Sequence, residues 1–375
     1  MNMELTKPIT NAFWELLRCG IWDSAPDITL FGSLTIGEWE GIYGLVRKHA
    51  VIGVTFSVLE KLPVGLRPGR KLYLKWCGMT LQIKSGNQQM NKVYGNLKHW
   101  FEQAGIYPIL MKGLGIAALY PQPLLRMAGD IDIYIMKQDY LVVVDMIRKA
   151  GFELKQTAEH DEFVFQNVQV ELHTYTSYYG SIFENAQRVD FISDRVSTYR
   201  IPSAETNALL LIKHPAKHLF TSGSAIRHLC DWTLFLQQNH GRISFDSIED
   251  KLKSEGFDHF AMVFTALAVE YLGLSQTVAC QDWLDKSKKK QEEILLNDLM
   301  DKGDCGINDW NHRLSIGQFS FSWVACREWV KYYGKTFFRL MKLSALFPGV
   351  IRKMLVGRIG RRLRLTTTGR PFASC

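Results

Sequence analysis

The first hundred residues read as helices, the next stretch as short β-rich runs, and most of the remainder as helices again. Thr35-Ile36-Gly37-Glu38 has the Thr-x-x-Glu spacing of a capping box and predicts a helix start. The apolar-rich run from Glu40 to Lys61 then meets no strong breaker until Pro63, and residues 71–104 continue the helical pattern to Gly105. Four β-rich runs follow, at Tyr107 to Met111, Asp130 to Met136, Phe163 to Gln166 and Val168 to His173. Between them, Gln138 to Ala150 predicts a helix closed by Gly151, and Asn167 stands where a hairpin turn would be. From about Ile182 the pattern is helical, notably over Ala204 to Gln238 and Phe257 to Leu272, and Asp301 to Gln318 is the most loop-like interior stretch. The expected fold class is α+β. A small mixed sheet at residues 105–180 is flanked by an N-terminal helical domain (1–104) and a C-terminal helical domain (181–335), with a tail at 336–375.

Composition narrows the class. At 375 residues, 47% apolar and 22% charged, the chain is globular, and no stretch approaches the ~18 apolar residues of a membrane span. The N-terminal residues lack the pattern of an export or organelle signal, so a cytoplasmic location is expected. Seven scattered cysteines without a C-x-x-C pair read as reduced thiols. The net charge of +8 is uneven: after Glu328 there are eleven Lys and Arg residues and no acid, so the body of the chain is net negative. In the tail, Arg352, Arg358 and Arg362 share a helical arc with Ile351, Leu355 and Ile359, which is poor amphipathic segregation. A loosely ordered basic extension that packs on the acidic body or attracts polyanions is favoured over a membrane helix.

The chemistry concentrates in the β-rich segment. In Asp130-Ile131-Asp132-Ile133-Tyr134-Ile135 a strand period of two sets Asp130 and Asp132 on one face and the three isoleucines on the other. Two close carboxylates repel and raise each other's pKa, so such a pair is tolerated at an exposed, solvated strand edge or with a divalent cation between them, and Mg²⁺, which takes one or two carboxylates plus phosphate oxygens, suits the second arrangement. In Val168-Gln169-Val170-Glu171-Leu172-His173 the same period turns Val168, Val170 and Leu172 inward and Gln169, Glu171 and His173 the other way, which offers a third carboxylate on a candidate neighbouring strand. Upstream, the apolar run Ile106 to Met111 ends in Lys112-Gly113 and a short helical segment. A strand entering a helix through glycine exposes backbone N–H groups to a phosphate, and Lys112 adds a point charge.

The order of these pieces resembles the polymerase-β-like nucleotidyltransferase superfamily, and more closely its uncharacterised nucleotidyltransferase family. The residues that carry the resemblance are Leu110-Met111-Lys112-Gly113, Arg126-Met127-Ala128-Gly129-Asp130-Ile131-Asp132 and Val170-Glu171-Leu172-His173, extending through Lys213-His214-Pro215 and Arg227-His228-Leu229-Cys230-Asp231-Trp232. The serine usual after the turn glycine of the superfamily is Leu114 here. The resemblance implies metal-dependent transfer of a nucleoside monophosphate from an NTP to an acceptor, with Mg²⁺ or Mn²⁺ ions about 3.5–4 Å apart. It implies that Asp130, Asp132 and Glu171 are the metal ligands and catalytic residues, with Glu171 as ligand or base. Lys112, Gly113 and Arg126 would meet the phosphates, and His173 would contact a phosphate or orient Glu171. The acceptor can be a small molecule, a protein or RNA.

Two other functions compete. A nucleotide-binding regulatory module would keep the fold without turnover, in keeping with Leu114. A D-x-D glycosyltransferase would need an α/β nucleotide-binding layer before the motif, where this chain reads helical. Further along, His214 and His218 lie four apart, but with Pro215 between them predicting a helix start, and no third ligand nearby in sequence, they do not read as a metal site. Arg227 and Asp231, also four apart, are expected to pair with each other or to line an acceptor pocket.

Overall fold

The computed structural model describes residues 6–157, 160–174, 182, 189–193, 198–220, 223–303, 339 and 341–350. Four helices open the chain: α1 (Lys7–Trp22), α2 (Ile36–Lys48), α3 (Ile52–Leu59) and α4 (Arg70–Glu102). The capping box at the start of α2 forms as the sequence predicts, with Thr35 accepting from Glu38 N and Glu38 accepting from Thr35 N. The run from Glu40 to Lys61 is not one helix, however. Ala50 takes a left-handed φ of +56°, and Val51 N donates to Val46 O at 3.0 Å, which closes α2 as a Schellman-type turn would. Every residue of α3 is buried, so the chain turns back into the core here, and tertiary packing imposes a break that no glycine or proline announces.

The α4 helix, about 50 Å long at about 1.5 Å per residue, links two hydrophobic cores. Trp76, near its start, lies in a core shared by the helices before and after the sheet, where Trp14 of α1 meets Tyr271 at 5.0 Å between ring centroids. Val93, Tyr94, Leu97 and Phe101, near its end, pack under the sheet.

The sheet contains β1 (Ile109–Met111), β2 (Ile131–Tyr134), β3 (Lys155–Gln156), β4 (Asp161–Phe165) and β5 (Val168–His173) in the order β1-β2-β5-β4-β3. The β2/β5 pair is parallel and the other pairs are antiparallel, so the sheet is mixed and the fold class is α+β as expected. Ile131, Ile133, Ile135, Val170 and Leu172 are buried in the core under the sheet, on the faces that the strand period assigned to them. Between β1 and β2 lies the short α5 (Gly113–Ala117), and after β2 comes α6 (Tyr140–Lys149), which buries Val143, Val144 and Ile147. The β4/β5 turn sets Gln166 and Asn167 at φ of +49° and +64°, as a two-residue primed turn requires.

The return to helix from Ile182 is corrected by a second hairpin, β6 (Val189–Ser193) with β7 (Thr198–Pro202). Its β-branched and aromatic runs place Tyr199 and Ile201 in the core under the sheet. Among the described residues up to Gly303 the helices α7 (Ala204–Phe220), α8 (Ile226–Asn239), α9 (Phe245–Glu255), α10 (Asp258–Leu272), α11 (Gln281–Lys286) and α12 (Lys289–Lys302) follow. Pro215 lies inside α7 and does not start a helix as the sequence suggested; the α7 backbone continues through it. Residues 341–346 are helical, and Leu343, Phe347 and Val350 are buried in the core shared by the helices, so the first part of the basic segment packs into the body. Arg339 forms a bidentate pair with Asp298 at 2.6 and 2.8 Å. Most of the loop expected over 301–318, and the arginines from 352 onward, lie outside the described residues. Cys19, Cys77, Cys230 and Cys280 are free thiols, and among the described residues no helix is long and apolar enough to cross a membrane.

Candidate active site

A cleft of about 260 Å³ opens between the exposed face of the sheet and helices α7 and α8. Its sheet-side wall is acidic. The parallel register of β2 and β5 sets Asp132 opposite Glu171, and β4 continues the row with Glu162 opposite Glu171. Asp130, just before β2, projects to the same side. Asp130, Asp132 and Glu171 each bring a carboxylate oxygen within 4.8 Å of the others, a set that can hold a divalent cation. The three carboxylates singled out in the sequence thus meet at one place.

The electrostatics of this triplet are uneven. Burial, reinforced by the neighbouring charges of Asp132 and Glu171, pushes the Asp130 carboxyl up to about 7. Asp132 goes the other way. Burial alone would raise it, but the Lys112 Nζ at 2.7 Å and the His173 Nε2 at 2.9 Å from its Oδ1 hold it well below the usual carboxylate range. A wall with one stabilised anion and one suppressed anion gains from a cation placed between them.

Lys112 reaches Asp132 from a strained turn. Its φ of +43°, uncommon for a residue with a Cβ, and the +35° of Gly113 swing the chain from β1 into α5, where a Cβ on Gly113 would lie 3.5 Å from Asp130 O. Arg126 is buried and faces the same cleft. Its Nε and Nη2 donate to Asp231 of α8 at 2.7 and 2.6 Å, and its Nη1 donates to Gly113 O at 3.1 Å. Tyr120 adds a hydrogen bond to Asp231 at 2.7 Å, and Asn87 of α4 donates to the carbonyls of Leu124 and Arg126, both at 2.8 Å, fixing the approach to β2. Asp231 therefore pairs with Arg126 and not with Arg227, whose Nη1 instead donates to Met127 O at 2.9 Å.

The opposite wall carries Lys217, Arg227 and three histidines. His214 and His218 of α7 meet a third ring, His228 of α8, at centroid distances of 5.0 and 5.8 Å, although His228 is distant in sequence. Burial, together with nearby cations, lowers the pKa of His214 and His228 well below the usual imidazole value, which keeps both rings neutral. His160, which no local motif singles out, joins the acidic wall. It lies just before β4 with Nε2 at 2.9 Å from Glu162 Oε1 and 3.4 Å from Glu171 Oε1. The signal that could have found it is the strand period, which puts His160 and Glu162 on one face as it does Glu171 and His173.

No curated protein matches the chain. A crystal structure of an antigenic nucleotidyltransferase-like protein from Paracoccidioides brasiliensis is similar over 51% of this chain and 94% of that one, at 12% identity and a TM-score of 0.32. Over residues 37–273, more than half of its length and the whole of the cleft, the sequence matches the family described as uncharacterised nucleotidyltransferase, and the chain belongs to that family.

Proposed function

We propose that the protein is a metal-dependent nucleotidyltransferase that moves a nucleoside monophosphate from an NTP to an acceptor hydroxyl or phosphate. The observation that carries this is the register of β2 and β5, which sets Asp132 opposite Glu171 beside Asp130 at the wall of a cleft large enough for a phosphate chain. The donor set fits hard divalent cations of the Mg²⁺ or Mn²⁺ kind, because all three groups offer carboxylate oxygens and Asp130, raised by burial and then by the charges of Asp132 and Glu171, ionises more readily beside a cation. Asp130 and Asp132 would hold the ions, with Glu171 completing the set. When bound, the ions supply charge neutralisation for the attacking and leaving oxygens.

The chain's own residues provide the rest. Glu171 is the nearest carboxylate to accept the acceptor's proton as its oxygen attacks the α-phosphorus and the bond to the β-phosphate oxygen breaks, releasing pyrophosphate. His173 orients Asp132 through the 2.9 Å contact, with its side chain only 2% exposed. Lys112 neutralises phosphate charge when a cation replaces it at Asp132. Arg126 holds the Lys112-Gly113 turn through Gly113 O, while Lys217 and Arg227 of the facing wall meet the β- and γ-phosphates. Pyrophosphate release and label transfer with each of the four NTPs and Mg²⁺ or Mn²⁺, compared with the double variant Asp130→Asn, Asp132→Asn, tests the proposal. Transfer that disappears in the variant supports it, and failure of any NTP to bind would sink it.

A second reading is favoured by the 2.7 Å Lys112–Asp132 pair and by Leu114 in place of the turn serine: a regulatory module that binds nucleotide without turnover. It predicts metal-dependent nucleotide binding with no pyrophosphate release. A D-x-D glycosyltransferase is disfavoured, since α1 to α4, and no α/β nucleotide-binding layer, precede β1 among the described residues.

A further inference from the structure

Beside the three carboxylates the sheet carries a second row of donors. The register that sets Glu162, Glu171 and Asp132 across β4, β5 and β2 also brings His160 beside His173, with ring centroids 5.3 Å apart. His160 Nε2 lies 3.4 Å from one oxygen of Glu171, and His173 Nε2 lies 3.4 Å from the other. Ligand atoms about 2.1 Å from a tetrahedral ion stand about 3.4 Å from one another, so each histidine already stands at a ligand-to-ligand distance from one Glu171 oxygen. The donor atoms of His160, Glu171 and His173 all lie within 4.8 Å.

The surroundings fix this cluster. The His160 backbone is held at both ends by Thr157, whose Oγ1 donates to His160 O at 2.5 Å and accepts from His160 N at 3.1 Å. His173 is buried on β5, whereas the side chains of His160 and Glu171 remain 16% and 20% exposed toward the cleft and leave an approach for an ion.

We infer that His160, Glu171 and His173 form a binding site for a transition-metal dication of the Zn²⁺ or Co²⁺ class, distinct from the Asp130–Asp132 oxygen site and joined to it through the Glu171 carboxylate. Two imidazoles and one carboxylate are a borderline donor set that suits such ions, while Mg²⁺ prefers oxygen and sheds its water reluctantly. Glu162, 2.9 Å from His160 Nε2, takes up the ring when the ion is absent and provides a further oxygen when it is present. In the metal-free protein the His160 Nε2 faces Glu162 and the His173 Nε2 faces Asp132, each at 2.9 Å, and the ion takes the place of these two contacts. The site shares Glu171 with the proposed transfer centre, yet it does not depend on turnover.

Co²⁺ is the probe, added to the metal-free full-length chain without nucleotide and followed by its visible absorption and by equilibrium dialysis. One equivalent is expected to bind with the intense absorption of a nitrogen-ligated, low-coordinate ion, and excess Mg²⁺ should leave the spectrum unchanged. His160→Ala should weaken binding by more than about tenfold, since loss of even an outer-shell partner costs that much. Asp130→Asn should keep the Co²⁺ spectrum while losing label transfer, so failure of the transfer proposal and failure of this one are told apart. His160→Gln, which retains a polar side chain, serves as a second variant, and thermal unfolding of both variants shows whether they fold. Wild-type Co²⁺ affinity in folded His160→Ala, or displacement of Co²⁺ by Mg²⁺, overturns the inference.

Discussion

Arg126 and Asp231, 105 residues apart in the chain, form a buried bidentate pair at 2.6 and 2.7 Å that ties the loop before β2 to helix α8. Both side chains are 5% exposed or less, and Tyr120 and Gly113 take up further hydrogen-bonding capacity around them. The pair links the sheet that carries the carboxylates to the helix that carries Arg227 and His228, and so sets the width of the cleft.

Removing one partner leaves the other charge buried without compensation. Asp231→Ala is expected to destabilise the fold by about 3–5 kcal/mol, read from chemical denaturation. Arg126→Lys should recover little of the lost function, because an ammonium cannot satisfy both carboxylate oxygens in the fork geometry. An Asp231→Ala protein with wild-type stability would show that the pair is a surface ornament of the cleft.

Lys112 occupies Asp132 in the way a cation would, at 2.7 Å. In Lys112→Met, with that competitor gone, divalent-ion affinity should rise, while label transfer should fall by about 10²–10³-fold through loss of a cation aimed at the developing phosphate charge. Isothermal titration with Mn²⁺ and a transfer assay on the same preparation check the two directions. Parallel loss of both would place Lys112 in the fold alone.

Much of the site was legible because it is local. A strand period of two is enough to pair Asp130 with Asp132, to turn Glu171 and His173 away from the core, and to predict the isoleucine anchors beneath them. The lateral order of the strands was not legible: β5 follows β4 as a hairpin, yet its second neighbour is β2, and only that parallel pairing brings Glu171 to Asp132. His160 went unseen as a single histidine at a strand's edge, and its meaning depends on the β4/β5 register. The expected Arg227–Asp231 pair rested on helical spacing, but a stronger bidentate partner arrived from 105 residues away. The break at Ala50 and the β6/β7 hairpin were likewise decided by burial against distant elements, which no local pattern encodes.

Glu171 connects both donor rows and accepts no lysine or arginine partner at salt-bridge distance among the described residues. Glu171→Gln preserves its shape and removes its charge, so nucleotide binding is expected to persist while the rate of transfer drops by about 10²–10⁴-fold, the usual contribution of a positioned base. Single-turnover kinetics at saturating NTP separate the two effects, and an equal loss in affinity and rate would move Glu171 from base to ligand only.

Asp130 makes the metal-free protein sensitive to pH. Its carboxyl stands at about 7 in the fold against an ordinary 3.8, chiefly from burial and then from Asp132 and Glu171. A raised acid pKa means that the folded state holds a proton the unfolded chain gives up. The stabilisation it contributes is therefore complete below pH 3.8, shrinks as pH climbs, and is gone once pH passes about 7. Asp132, held low by Lys112 and His173, contributes in the opposite sense and loses its share only under strongly acid conditions. Between about pH 5 and pH 7 the Asp130 effect thus acts alone within this pair, and metal-free wild type should lose stability relative to Asp130→Asn as pH rises through that window. Divalent ions must displace the same proton, so Mg²⁺ binding should release close to one proton at about pH 6 and almost none at about pH 8.5. Thermal unfolding of both proteins across this range, together with titration in buffers of different ionisation enthalpy, gives the two readouts. Identical pH slopes for wild type and Asp130→Asn would mean that Asp130 ionises as an ordinary surface carboxylate and that the cleft places no demand for a cation on it.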